Sequence, residues 1–278
     1  MNNLLLGNNA QFFKLPFQSF VEEQVSNGIT AVDLTLLVPH VYVDSEEFLD
    51  CCGAAELLKR NGIQVYSVTP MAYRYSICAD PASLQWEKTL GYYEQCIRYA
   101  AYCEAKYVSI TAAGAEYDIP EPVLLFRASE MLKLLSEKAE RLGVTLLLGT
   151  VLGHESPYNE TTPVLTTLKD VSTVFQSVNS PALQIYLDTL PMSLTGETIP
   201  QWFAAFEDSI RLVRFVDGNY NGYRLWGQGC LPRKKYLHQL QECGYTGPLS
   251  LNIPGERYSL EPGTAEENNL SELRREME

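Results

Sequence analysis

Residues 61–70 read Asn-Gly-Ile-Gln-Val-Tyr-Ser-Val-Thr-Pro, and they state in ten positions how the chain is built. Asn61-Gly62 has the composition of a helix C-terminus, where a residue without a Cβ takes the left-handed conformation. Val65–Val68 is then a short β-prone run, and Thr69-Pro70 ends it. The same alternation recurs along the chain. Apolar runs four to six residues long, or slightly shorter, fall at Leu4–Leu6, Ala31–Leu36, Val65–Val68, Tyr107–Thr111, Thr145–Leu148, Leu183–Leu187, Leu212–Val216 and Leu249–Ile253. Segments with helical spacing lie between them. Asn27-Gly28, Gly143 and Gly244 repeat the helix-ending signal. Strands that alternate with helices pair in parallel, and eight such units predict an α/β fold of the (β/α)8 TIM-barrel type.

The length suits that reading. With 278 residues, 46% of them hydrophobic, the chain predicts one barrel domain over 1–278, with a charged tail from about residue 262. No linker-like stretch divides it. The third helix is expected to open with Asp80 as N-cap and Pro81 at its first position. Its stripe Trp86, Leu90, Tyr93, Ile97 and Ala101 reads as core.

Charge and cysteine usage exclude several classes. Thirty-four acidic residues against 21 Lys and Arg give a formal charge of −13, which argues against nucleic-acid partners, because phosphate contacts need clustered cations. No basic amphipathic helix suggests a membrane surface, and no apolar run approaches a spanning length. Met1-Asn2-Asn3 leads directly into the first strand, so no signal peptide is expected. The seven cysteines lack CxxC spacing and read as reduced thiols of a cytoplasmic protein.

In a barrel of this type the chemistry sits where strands end. Those ends carry Asp33, the Pro39-His40 loop, Thr69-Pro70 with Tyr73 and Tyr75, Gly149 with His154-Glu155, Asp188, Arg214 with Asp217, and Asn252 with Glu256. The family likeness rests on the Pro39-His40 loop, Thr69-Pro70 followed by Tyr73 and Tyr75, Ile110-Thr111-Ala112-Ala113, Tyr186-Leu187-Asp188, Phe215-Val216-Asp217, the turn Gly227-Gln228-Gly229-Cys230-Leu231-Pro232, and Gly244-Tyr245-Thr246-Gly247. The chain resembles the xylose-isomerase-like superfamily of sugar isomerases and epimerases, above all the ketose 3-epimerase and fructoselysine 3-epimerase branch.

That resemblance implies a divalent cation held by Glu, Asp, His and Glu on the fifth to eighth strands, with the two Glu residues as acid–base pair. The matching positions here are Gly149, Asp188, Arg214 and Asn252. Only Asp188 keeps a ligand of the expected kind, and a guanidinium cannot coordinate a metal. The expectation is therefore a degenerate metal site: no metal, no cofactor, and Arg214 in roughly the cation's volume, paired with Asp188 and hydrogen-bonded by Asn252. Glu155 matches a family contact to substrate hydroxyls. The candidate bases are Asp188 and Glu155; Arg214, Asn252, His40, Asp33 and Glu155 are the candidate substrate contacts. The expected partner is a sugar or sugar derivative, and the family's habit allows a homodimer. Two functions stay open, a reorganised isomerase or epimerase and a sugar- or sugar-acid-binding homologue without turnover. The phosphate-ester-cleaving, endonuclease-IV-like branch is disfavoured by three histidines and the acidic charge.

Overall fold

A computed structural model describes residues 3–71, 75–112, 114–116, 118–152, 162–253 and 257–277. Eight parallel strands close into a barrel. They are β1 (Leu5–Gly7), β2 (Ala31–Leu36), β3 (Gln64–Pro70), β4 (Tyr107–Ile110), β5 (Thr145–Leu148), β6 (Leu183–Asp188), β7 (Ile210–Arg214) and β8 (Leu249–Ser250). Each pairs with its neighbours in sequence, and β8 closes the ring by pairing with β1 (Leu249 with Leu5, Ser250 with Leu6). The helices α1 (Phe17–Ser26), α2 (Ala54–Arg60), α3 (Leu84–Tyr102), α4 (Glu121–Arg141), α5 (Leu168–Val178), α6 (Thr189–Leu194), α7 (Ile199–Phe206), α8 (Arg233–Glu242) and α9 (Pro262–Met277) fill the connections.

Helix ends fall where the glycines predict. Gly28, Gly62, Gly143 and Gly244 all have φ between 66° and 71°. Several boundaries differ: β1 and β7 run Leu5–Gly7 and Ile210–Arg214 where the apolar runs are Leu4–Leu6 and Leu212–Val216. Helix α3 starts at Leu84, because Ser83 caps it by accepting the Trp86 N–H at 3.2 Å. Asp80 instead holds the preceding turn through Ala82 N (2.8 Å) and pairs with Arg127. The paired part of β8 also ends at Ser250, short of Ile253, although Leu251 N still donates to Leu6 O at 3.1 Å. The charged tail forms α9, which buries Leu270 and Leu273.

Strand alternation splits each strand between two cores. On β6, Leu183, Ile185 and Leu187 face the helices, whereas Tyr186 joins Leu6, Ala31, Leu147 and Leu212 inside the barrel. Tyr66 and Tyr107 pack against this inner layer. It forms an apolar floor, and the side chains above it are polar.

Candidate functional site

Above the floor the strands contribute Asp33 (β2), Ser67 and Thr69 (β3), Asp188 (β6), Arg214 (β7) and, at and just past the end of β8, Ser250 and Asn252. Asp33 is fully buried and central. Its Oδ1 accepts hydrogen bonds from Ser67 Oγ (2.9 Å) and Thr69 Oγ1 (2.8 Å); its Oδ2 accepts from Ser250 Oγ (2.8 Å) and Asn252 Nδ2 (3.4 Å). The Nε of Arg214 lies 3.9 Å from the same Oδ2. Arg214 also donates from Nη2 to Thr69 Oγ1 at 2.9 Å, and its Cζ stands 4.3 Å over the Tyr186 ring. The guanidinium is thus fixed on three sides: a carboxylate, a hydroxyl and an aromatic face.

Asp188 is held differently. The expected Arg214–Asp188 pair is replaced by Arg214–Asp33, and Asn252 donates to Asp33, not to Arg214. The physical reason lies in the two ends. The Arg214 guanidinium stands over the Tyr186 ring and reaches across the barrel toward β2 and β3. Asp188 is drawn the other way by the start of α6, where its Oδ1 accepts Leu190 N at 3.0 Å. Its Oδ2 accepts the Tyr223 hydroxyl at 2.9 Å. Burial pushes the Asp188 carboxyl up to about 6, against the opposing pull of the Arg214 charge, the Leu190 N–H and the Tyr223 O–H.

Tyr223 arrives on a two-stranded antiparallel ribbon, Asp217–Asn219 with Gly222–Arg224. Asp217 anchors the segment behind it. Its Oδ1 accepts Gly218 N (2.7 Å) and Leu231 N (3.0 Å), and its Oδ2 accepts Gly227 N (3.0 Å) and Gly229 N (2.9 Å). Both oxygens are consumed by the fold.

The position opposite Tyr186 is Gly149. The β5–β6 register sets Leu148 beside Ile185 and so brings the next residue, Gly149, alongside Tyr186. A Cβ at Gly149 would lie 2.2–2.5 Å from Cζ, Cε1 and Cε2 of that ring. The ring therefore fills the space where a side chain from the end of β5 would begin. Several buried polar atoms nearby lack a hydrogen-bond partner: Tyr186 Oη, Arg214 Nε, Asn252 Oδ1 and Thr150 Oγ1. Orphaned donors and acceptors of this kind are uncommon in a folded interior and mark a place where a polar ligand or water completes the set.

His40 stands apart from this cluster. It is buried, with Nδ1 3.2 Å from Asn9 Nδ2, Nε2 3.0 Å from Leu15 O, and the Phe17 ring edge-on at 5.1 Å. Burial holds its pKa below the ordinary histidine value. A neutral ring with both nitrogens engaged serves the packing of α1 against the β2 loop, and the pocket-lining role expected of it has no geometric basis. Asp33 likewise contacts the site's own residues and presents no free oxygen to the mouth. Tyr73, His154, Glu155 and Glu256 lie outside the described residues.

Sequence reasoning overlooked Tyr186 and Tyr223. The first had a signal: period-two alternation from Asp188 puts residue 186 on the same inner face. The second had none, because the ribbon's place over the mouth depends on the Asp217 turn. A separate cleft of about 600 Å³, lined by Tyr66, Tyr107, Phe203, Glu207, Arg211 and Tyr245, opens at the opposite, N-terminal end of the strands. Barrel chemistry belongs to the C-terminal end, so the polar cluster is the candidate site.

A barrel with its polar cluster at the strand C-termini, centred on Asp33 of β2 and including Asp188 of β6, defines a class that sequence comparison sharpens. The chain belongs to the xylose isomerase-like TIM barrel family, whose sequence model matches residues 22–276. It is 27% identical over 244 residues to the fructoselysine 3-epimerase of Shigella flexneri and 26% identical to that of Escherichia coli O157:H7, covering 86% of both chains in each case. Its fold matches a D-psicose 3-epimerase from Clostridium cellulolyticum H10 with a TM-score of 0.75 at 14% identity, covering 98% of this chain and 96% of that one. A 3-keto-D-glucoside 4-epimerase from E. coli matches equally well, at 0.75 and 18% identity over 98% and 99% of the two chains. This is a sugar isomerase/epimerase-like chain. Among the described residues no helix is long and apolar enough to cross a membrane.

Proposed function

We propose that the barrel mouth binds and acts on a sugar or sugar derivative, with the Arg214 guanidinium serving where the family's epimerases place a divalent cation. The observation that carries this reading is the fixed guanidinium itself, stacked on Tyr186 and tied to Asp33 and Thr69 beside Asp188. A divalent cation does not fit these residues. Gly149 and Arg214 bring no ligand, Asn252 brings a neutral oxygen, and among the described residues no three His, Cys, Asp or Glu side chains are grouped to hold a metal ion.

The chemistry then falls to the chain's own groups. Asp188 is the carboxylate able to take the proton from the carbon beside a carbonyl; Glu155 is the second candidate base and a hydroxyl contact. The N–H groups of Arg214 stabilise the oxygen on which charge develops, an electrostatic role that does not require a metal. Asn252 Oδ1 accepts from a sugar hydroxyl. Ketoses are the class to test, since the relatives are fructoselysine 3-epimerases and the structural neighbours include D-psicose and L-ribulose 3-epimerases.

The test is calorimetric titration of chelator-treated protein with D-fructose, D-tagatose and fructoselysine. Binding of at least one, unchanged by EDTA and lost in Arg214→Met, supports the reading; binding that appears only with added Mn2+ refutes it. Gly149 and Asn252 stand where the family keeps its acid–base pair, and this favours a second reading, a sugar- or sugar-acid-binding homologue without turnover. Hydrogen–deuterium exchange at the sugar C–H bonds in D2O separates the two.

A further inference from the structure

We propose that Tyr186 determines which cation this pocket uses: its ring closes the β5 ligand space and props the Arg214 guanidinium in place. The inference rests on the metal-independent reading above and adds a residue outside the family's ligand positions. Loss of ligands alone would leave an empty polar hole beside Asp188. Here the hole is filled. The ring carbons stand 2.2–2.5 Å from where a Gly149 Cβ would be, too close for any side chain at 149 while the ring keeps its position. The same ring carries the Arg214 Cζ on its face at 4.3 Å.

Tyr186 is held by packing, not by hydrogen bonding. It is fully buried against Leu6, Ala31, Leu147 and Leu212, and its hydroxyl has no partner. Its aliphatic neighbours hold the ring in place, because interiors are close-packed. Gly149, Tyr186 and Arg214 therefore form one interlocked unit. Restoring the family's ligands without removing the ring forces the residue-149 side chain into occupied space.

The experiment titrates Mn2+ into two chelator-treated variants, with folding checked by far-UV circular dichroism and gel filtration. Gly149→Glu with Arg214→His and Asn252→Glu is expected to take up no stoichiometric Mn2+. Adding Tyr186→Val is expected to bind one equivalent, at least tenfold tighter; Tyr186→Phe in its place, which keeps the ring, is expected not to. Equal affinity in the triple and quadruple variants overturns the role of Tyr186 while leaving the metal-independent reading intact. A folded quadruple variant that binds no metal also overturns it. One equivalent of Mn2+ in the unaltered chain overturns both. If the multiple variants fail to fold, thermal unfolding of Gly149→Ala decides. A lowered Tm that Tyr186→Val restores supports the interlock, and an unchanged Tm in Gly149→Ala refutes it.

Discussion

Truncating Arg214 to alanine probes the centre of the site, because it strands the Asp33 carboxylate in the barrel interior. Asp33 is fully buried and Arg214 is 7% exposed, so water does not replace the lost charge. Removing one partner of a buried ion pair costs about 3–5 kcal/mol in general. Two features of the structure move this figure. The Nε–Oδ2 separation is 3.9 Å, longer than a hydrogen bond, and Asp33 keeps the donors of Ser67, Thr69, Ser250 and Asn252, which lowers the penalty. Loss of the Tyr186 stacking contact adds about 1–2 kcal/mol for a desolvated pair. The net expectation is a loss of about 3 kcal/mol, read as a lower urea midpoint with an unchanged m-value. Arg214→Lys should recover only part, since an ammonium does not stack flat or bridge a carboxylate and a hydroxyl as a fork does. Asp33→Asn combined with Arg214→Met should be closer to the unaltered protein than Arg214→Ala, because both charges leave together. Should Arg214→Ala fall within about 0.5 kcal/mol of the unaltered protein, as surface changes do, the pairing described here is wrong.

Three further outcomes are expected. Burial of Glu266 against α1 pushes its carboxyl up to about 8, with Gln24 Nε2 opposing from 2.7 Å and the Glu23 charge adding to the rise. The folded state then holds the proton longer than the unfolded chain, so this group's contribution is fully favourable below the ordinary value of 4.5 and is lost as pH rises toward 8. Glu266→Gln should flatten the Tm profile between those limits and add about 1–2 kcal/mol at pH 8, after discounting for partial exposure; an unaltered slope would falsify it. Tyr223→Phe removes a donor to the ionised Asp188, so the Asp188 titration, followed by carboxyl 13C NMR, should move above its present position near 6. No movement would mean that the hydroxyl does not touch the carboxylate in solution. Asp217→Ala leaves four backbone N–H groups without their acceptor and should cost about 3 kcal/mol, with faster amide exchange at Gly227, Gly229 and Leu231; protection equal to the unaltered chain contradicts the anchor.

How far the sequence carried these conclusions depends on the range of the interaction concerned. The eight strands and the glycine-ended helices are local patterns, and local patterns survive folding. The positions of Gly149, Asp188, Arg214 and Asn252 were legible for the same reason, since each follows from where a strand stops. Boundaries set by competition were not. Pro81 permits a helix start, yet Ser83 offers the better cap, and the helix begins after it. Pairing inside the barrel was less legible still. From the adjacent β6 and β7, Asp188 and Arg214 look like natural partners, and their backbones are indeed in register. The guanidinium nevertheless goes to Asp33, 181 positions earlier in the sequence and across the barrel.

Arg214 rests over Tyr186 while its Nε faces Asp33 and its Nη2 donates to Thr69. The ring supports the cation from one side, and the Thr69 hydroxyl and the Asp33 carboxylate meet it from others. The ring fits only because residue 149 has no side chain. Read singly, Gly149 is one more strand-end glycine and Tyr186 an ordinary strand aromatic. Read against each other across the β5–β6 register, the two are complementary: the absence of a side chain at one position is the volume of the ring at the other. A third position, 214, then holds a cation supported by that ring. Glycine, tyrosine and arginine interlock at this spot, and the buried carboxylate of Asp33 beside them is satisfied by four donors.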